Sequence, residues 1–368
     1  MKGKRWFFGT ISITLVILVV MAAIMIDIDP YFHYHGPVEE RPYAMYGSGS
    51  YEKYYNDGIG KHFKYDAMIT GSSVTENFKA TQVEILWQCT AVKTCFAGGT
   101  LKEVDEHIKR SLAANDGVKM IIRGIDENKL LEDKDAMPWE PPTYLYDNNP
   151  FNDVNYLFNK DTWLTPLRRN FQMMKYDYIS TNFDQYSNWS MSATFSKERT
   201  LNNYARPEKA AQKTELTPEL LTQIQGNIEQ NVAATVRDNP DVTFYYFLTP
   251  SSICQWDEWN QTGVLECELV AERMLIEELL KYENVRLFGY SDRFDIITNL
   301  DNYMDVEHFS DEINDLLIGL MYAGEGRLTK DNYMEYINKI SLYYMNYDYE
   351  SIFTESRQNK AVEQVEGD

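Results

Sequence analysis

The chain has 368 residues, 44% of them apolar, enough for one large domain or two ordinary ones with a substantial core. A formal net charge of −21 and a pI near 4.7 argue against nucleic acid and against static binding to polyanions. Aromatic residues make up 14% of the chain and include 27 tyrosines, a composition that suits sugar contact as well as half-buried packing.

Taken in order, Lys2, Lys4 and Arg5 precede an uncharged run from Trp6 to Ile26. About 20 such residues cross a hydrocarbon core. Residues 6–26 are therefore expected to form a single-pass transmembrane anchor, with residues 1–5 cytoplasmic and Asp27 and Asp29 outside. The apolar run is long for a signal peptide, and no clear cleavage site follows it, which favours an uncleaved anchor. Residues 27–60 are aromatic and turn-rich, with Asp29-Pro30, Gly36-Pro37 and Gly47-Ser48-Gly49-Ser50, and read as an ordered juxtamembrane lead-in. His33 and His35 lie there without a third ligand, so a structural role is expected.

Five strands are expected at 67–70, 94–97, 120–125, 243–248 and 285–288, separated by helical patterns at 102–114, 218–237 and 266–282. This alternation predicts an α/β fold with a parallel five-stranded sheet covered on both faces. Residues 130–215 interrupt it with Pro138-Trp139-Glu140-Pro141-Pro142 and many aromatics, and are read as an inserted lid. Residues 311–347 look helical and amphipathic, and the polar end from Glu355 looks frayed. The expected organisation is a domain over 61–330 carrying the 130–215 insertion, then a C-terminal helix and tail over 331–368. Cys89 and Cys95 are close in sequence, as are Cys254 and Cys267, and two local disulfides are expected outside the membrane. No metal and no cofactor are expected, because no histidine clusters with the cysteines and neither spacing is Cys-x-x-Cys.

Two stretches carry chemistry. Ala67-Met68-Ile69-Thr70 runs into Gly71-Ser72-Ser73-Val74-Thr75-Glu76-Asn77-Phe78, a strand that turns sharply through Gly-x-Ser into an expected helix start. Such a turn presents a serine hydroxyl at the carboxyl edge of a sheet, beside backbone N–H groups. Near the other end, Asn302-Tyr303-Met304-Asp305-Val306-Glu307-His308-Phe309-Ser310 places a histidine three residues after an aspartate. A serine nucleophile needs a base, and the base needs a carboxylate to fix its tautomer. Gly98-Gly99 follows the second strand, and ligands of parallel sheets bind beyond the carboxyl ends of the strands. Asp301 rivals Asp305 but lies seven residues from His308. His62 and His107 have no partner pattern and are expected to be structural or surface groups.

These motifs resemble the SGNH (GDSL-type) hydrolase superfamily. The wording Tyr65-Asp66-Ala67-Met68-Ile69-Thr70-Gly71-Ser72-Ser73-Val74-Thr75-Glu76-Asn77-Phe78 is similar to its membrane-anchored Gram-positive members, which act in teichoic-acid D-alanylation and exopolysaccharide O-acetylation. The resemblance spans roughly residues 40–325. It implies a three-layer, flavodoxin-like α/β/α fold with Ser73 as nucleophile, His308 as base and Asp305 as its orienting acid. It further implies an oxyanion hole from the backbone of Ser73 and of Gly98 or Gly99. Ser72 stands where the family often has Asp. The family's third block, Gly-x-Asn-Asp, is not clean: the chain reads Arg123-Gly124-Ile125-Asp126-Glu127-Asn128, and Asn128 or Asp126 would face the site. The implied activity is that of an extracellular serine esterase or O-acyltransferase acting on acetyl or D-alanyl esters of a cell-envelope glycan or teichoic acid. A polytopic membrane-bound O-acyltransferase is the implied partner. The alternative is a catalytically silent scaffold or sugar-binding subunit of an envelope-assembly complex.

Overall fold

The computed structural model describes residues 2–47 and 51–354. The Ser48–Ser50 part of the lead-in and the polar end from Glu355 lie outside the described residues. The chain opens with one apolar helix, α1 (Lys2–Ile28), long enough to cross a membrane. Its side chains are exposed from Gly3 to Val20, whereas Met25 is fully buried. The chain then turns at Asp29, whose carboxylate accepts N–H bonds from His33, Tyr34 and His35 and the Tyr156 hydroxyl at 2.7 Å. That buried acid staples the end of α1 to the globular part.

The globular part is built on one six-stranded sheet. Helix α2 (Glu52–His62) leads into β1 (Ala67–Gly71), followed by α3 (Ala80–Trp87), β2 (Ala91–Cys95), α4 (Leu101–Ala114) and β3 (Met120–Ile125). Five short helices follow: α5 (Thr143–Tyr146), α6 (Val154–Leu157), α7 (Lys160–Thr162), α8 (Arg168–Tyr176) and α9 (Lys197–Asn203). Then come α10 (Pro218–Ile228), α11 (Ala234–Asp238), β4 (Thr243–Leu248), α12 (Ile253–Thr262), α13 (Leu265–Leu279) and β5 (Val285–Phe288). The chain ends with α14 (Phe294–Ile297), α15 (Asp311–Ala323), β6 (Arg327–Leu328) and α16 (Tyr333–Asn346). The sheet order is β2-β1-β3-β4-β5-β6, parallel throughout except for the antiparallel edge strand β6.

The strands form where apolar residues run continuously, as expected for strands buried on both faces. Alternate side chains divide between two cores. Met68, Val92, Ile121 and Phe244 pack with α2, α4, α10, α13 and α16, while Ile69, Ile122, Phe247 and Phe288 pack with α3 and α15. Thr100 caps α4 by accepting from the Glu103 N–H, and Thr217 caps α10 in the same way with proline at the helix start.

Four expectations need correction. The sheet has six strands rather than five, because the 311–347 segment is split by β6 and only α15 and α16 are helical. The second strand lies at 91–95 rather than 94–97, since Gly71 pairs with Cys95 and the apolar Phe96 and Ala97 lie past its end. Neither expected disulfide forms, and Cys89, Cys95, Cys254 and Cys267 are all free thiols. Cys89 precedes β2 and Cys95 ends it; six residues of extended chain cover about 20 Å, whereas a disulfide needs Cα atoms within about 7 Å. Cys254 and Cys267 sit on separate helices, α12 and α13, and the Cys267 thiol faces the Thr214 carbonyl at 3.6 Å. Finally, the turn after β1 does not start a long helix: Ser73–Thr75 is one 3-10 turn, and α3 begins only at Ala80.

Candidate active site

Two tight backbone features bring the site residues together at the carboxyl edge of the sheet. The first is the elbow after β1. Gly71 adopts φ +146°, and a side chain there would strike the Thr75 hydroxyl. Gly124 on β3 leaves room for the Thr75 methyl group, so the elbow is wedged between two glycines. Thr75 closes it by donating N–H and O–H bonds to the Ser72 carbonyl. Asn314 of α15 also donates to the Val74 carbonyl.

The second feature is the loop after α14. Tyr303 bridges to Phe309, and the Met304 N–H donates to the His308 carbonyl, so residues 304–308 form a closed turn. Inside it, Asp305 Oδ1 accepts the backbone N–H of Glu307 at 3.0 Å and of His308 at 2.8 Å. The local fold thus holds the aspartate against the histidine that follows it.

The side chains complete a chain of bonds. Ser73 Oγ lies 2.7 Å from His308 Nε2, and His308 Nδ1 lies 2.8 Å from Asp305 Oδ2 and 3.0 Å from Oδ1. With Nδ1–H donating to the carboxylate, Nε2 accepts the serine proton. The His308 side chain keeps 21% of its surface exposed and Asp305 24%, so the dyad faces an open edge. Burial pushes the Asp305 carboxyl up, but its bonds to His308 and to backbone N–H groups outweigh this and hold it below the usual range. Burial likewise disfavours charged His308, yet the Asp305 bond and the acids Glu307 and Asp126 raise it above its ordinary value.

The other expected residues are distributed as follows. The backbone N–H groups of Ser73 and Gly98 have no partner among the described residues, whereas the Gly99 N–H donates to the Phe96 carbonyl. The Asn128 amide donates to Glu307, the residue before His308. Asp301 caps the first turn of α9 by accepting the Lys197 N–H, so it is not the acid that holds His308. His33 faces Asp153, His35 bonds the Gly36 and Ile26 carbonyls, and His62 bonds the His33 carbonyl. His107 is buried against Phe96. No group of metal-binding side chains is present among the described residues.

One residue at the site was not singled out from sequence. Trp189, from the 130–215 insertion, packs edge-to-face on the His308 ring at 5.1 Å and donates its indole N–H to the Ser73 carbonyl at 3.1 Å. Asn77 fixes that tryptophan by accepting its backbone N–H at 3.1 Å. Asp126 follows β3 and sits close enough to His308 to favour its charged form. Its Oδ1 is buried without a partner, and burial raises its pKa despite a bond from Ser72. Asp126 was one of the two residues named for the third block: aligned on Gly124, it stands where Gly-x-Asn-Asp has asparagine, and Glu127 stands where it has aspartate. Nothing comparable marks Trp189.

The insertion also supports the catalytic-loop candidate. Ser196 N–H and the Thr200 hydroxyl both donate to the Tyr303 carbonyl, and Asn203 donates to that of Met304. Glu307, buried beside Asp126, is pushed up to about 7. The arrangement can deprotonate a hydroxyl, hold an imidazolium and admit a substrate from solvent. Compared with known proteins, the chain matches no family model, no curated protein and no solved structure.

Proposed function

We propose that the chain is an SGNH-like serine esterase or O-acyltransferase held on the outer face of a membrane by α1. The observation that carries this reading is the continuous Ser73–His308–Asp305 bond chain at the open end of a mostly parallel sheet. In the proposed reaction Ser73 Oγ attacks the carbonyl carbon of an acyl ester while its proton passes to His308 Nε2. His308 then returns that proton to the leaving alcohol oxygen as the C–O bond breaks, which leaves an acyl-Ser73 ester. Water or an acceptor hydroxyl, deprotonated by His308, attacks the acyl-enzyme, and the proton returns to Ser73. The free N–H groups of Ser73 and Gly98 are the proposed oxyanion donors.

In this reading the layering around the sheet is the three-layer SGNH arrangement, and residues 130–215 act as a lid, with Trp189 as the contact that shapes the acceptor groove. The substrate class is an acetyl or D-alanyl ester on a cell-envelope glycan or teichoic acid. A membrane-bound O-acyltransferase would supply the acyl group from the other side of the bilayer. Asp126, Glu307 and Asp305 crowd the site with acids, which favours a neutral glycan or an ammonium-bearing D-alanyl ester over bare phosphate.

Covalent labelling by a fluorophosphonate tests the reading. Ser73 should be the labelled residue, and Ser73→Ala should abolish the label. An intact, folded chain that resists labelling would support the second reading, a silent scaffold. The acid Asp126, in place of an amide donor, is the observation that favours that rival.

A further inference from the structure

Several features around the end of α1 point the same way. The uncharged run Trp6–Ile26 is 21 residues long. At 1.5 Å per residue that is about 31 Å, close to the ~30 Å hydrocarbon core. Met21 therefore lies five residues below the last apolar residue, at a depth of ~7 Å. Side chains from Gly3 to Val20 are exposed, but Met21, Ala22 and Ile24 are partly shielded and Met25 is buried. Part of the globular domain must then reach alongside α1 at that depth. Helix α6 packs there, with Tyr156 bonded to Asp29 just past the end of α1. Helix α8 flanks the same exit, where Asn170 and Met174 line a shallow groove with Ile28.

This segment is unlike the rest of the surface. Phe151 is 88% exposed, Leu164 55%, Val154 54% and Phe171 45%. Ile85, Met191 and Leu342 are exposed elsewhere, but large apolar side chains exposed this densely within one segment mark an interaction surface. The charge is also reversed locally. Arg168, Arg169 and Lys175 are exposed on α8, and residues 151–179 hold four basic against three acidic side chains in a chain of 35 and 56. An apolar band flanked by basic residues, at a depth of about 5–10 Å in the headgroup region, is the chemistry of an interfacial element.

We propose that residues 151–179, around α6 and α8, are seated in the outer headgroup boundary of the bilayer, with Phe151, Leu164 and Phe171 in contact with lipid. The occupant is a lipid surface carrying anionic headgroups, which the basic side of α8 meets. The proposal rests on α1 being a bilayer anchor, as in the proposed function. Seating fixes the domain at one height and tilt, instead of leaving it tethered above the membrane.

The test is site-specific photo-crosslinking of the full chain in nanodiscs of equal phosphatidylcholine and phosphatidylglycerol. A benzophenone amino acid replaces Phe151, Leu164 or Phe171, and lipid adducts are counted by mass spectrometry. Ile13 in the middle of α1 serves as the positive control. Ile85 and Leu342, 76% and 71% exposed and outside this segment, serve as background. The expected result is a several-fold excess of lipid adduct at all three positions over Ile85 and Leu342. Adduct at Ile13 but only background at 151, 164 and 171 overturns the seating while leaving the anchor intact. Background at Ile13 as well overturns the anchor and the seating with it. In whole cells, adducts at 151 and 171 to a protein, with none to lipid, would also overturn the lipid assignment.

Discussion

Replacing Asp305 with asparagine separates the electrostatics of the site from its local fold. Asp305 Oδ1 accepts the backbone N–H groups of Glu307 and His308, and an asparagine carbonyl oxygen can accept both. The closed turn should therefore survive. The Oδ2 position, 2.8 Å from His308 Nδ1, becomes an amide NH2 that can only donate. The nearer of the two contacts to Nδ1 then favours an accepting Nδ1 with the hydrogen on Nε2, a tautomer that cannot take a proton from Ser73. The carboxylate's attraction for the imidazolium is also lost, a term of at most about 4 kcal/mol for charges about 4 Å apart at an effective dielectric constant near 20. Wrong tautomer and lost charge together lower the rate of serine triads by about 10⁴-fold, equivalent to ~5 kcal/mol in the barrier. The assay is the rate of fluorophosphonate labelling at Ser73, with the thermal midpoint measured in parallel. A labelling rate within about threefold of the parent, in a variant with unchanged stability, would refute the triad, since that is a barrier change of well under 1 kcal/mol.

The double variant Ser73→Ala/His308→Ala should lower ester-linked acyl content of the envelope no further than either single variant, because the two groups act as one unit; an additive loss would contradict this. The rate should rise with pH through a value above the ordinary histidine range, since raised His308 must first lose its proton, and Asp126→Asn should move that limb to lower pH. A limb unmoved by Asp126→Asn would show that Asp126 does not act on the base. Buried Glu268 and Glu272 are pushed up to about 9 and about 8, and Glu127, beside Glu272, is raised as well. Such groups hold protons more tightly when folded, so their stabilisation is complete below the unfolded carboxyl range and is lost as pH rises through 8 to 9. The urea midpoint should accordingly fall between about pH 6 and pH 9, and Glu268→Gln should flatten the fall. Reductant should leave the thermal midpoint unchanged; two disulfides would instead contribute about 2–4 kcal/mol each.

The sheet was legible because its central strands are continuous apolar runs. Met120–Ile125, Thr243–Leu248 and Val285–Phe288 lie where that pattern puts them. β2 shifted because its core residues Ala91, Val92 and Lys93 include a buried lysine, whose Nζ is satisfied by the Glu76 carbonyl rather than by any signal in its own strand. β6 escaped notice because two residues carry no periodicity. The disulfides failed for a related reason: nearness in sequence is not nearness in space, whether the chain between is extended, as from Cys89 to Cys95, or divided between two helices, as from Cys254 to Cys267. Ser73, Asp305 and His308 were legible as local motifs, each tied to a backbone turn its own residues specify. Trp189 was not, because its place over His308 depends on Asn77 and on the packing of a long insertion. Asp126 was named beside Asn128, and only the structure separates them, by turning Asn128 toward Glu307.

One segment links α1 to the candidate site. Tyr156 of α6 holds Asp29 at the end of α1, and further along the insertion Trp189 holds the Ser73 carbonyl while α9 holds the 303–304 turn. The Tyr156, Trp189 and Thr200 bonds are buried or half-buried, so releasing one leaves a polar group in an apolar neighbourhood. The distance from the end of α1 to the serine is therefore set by packing, not by a flexible tether. An enzyme that takes acyl groups from a membrane-embedded donor has use for such a fixed height, since a polymer end delivered at one depth meets the nucleophile without a search. A scaffold would need the anchor and the docking surface. It would have no need to bring a tryptophan from more than a hundred residues away onto the imidazole beside Ser73.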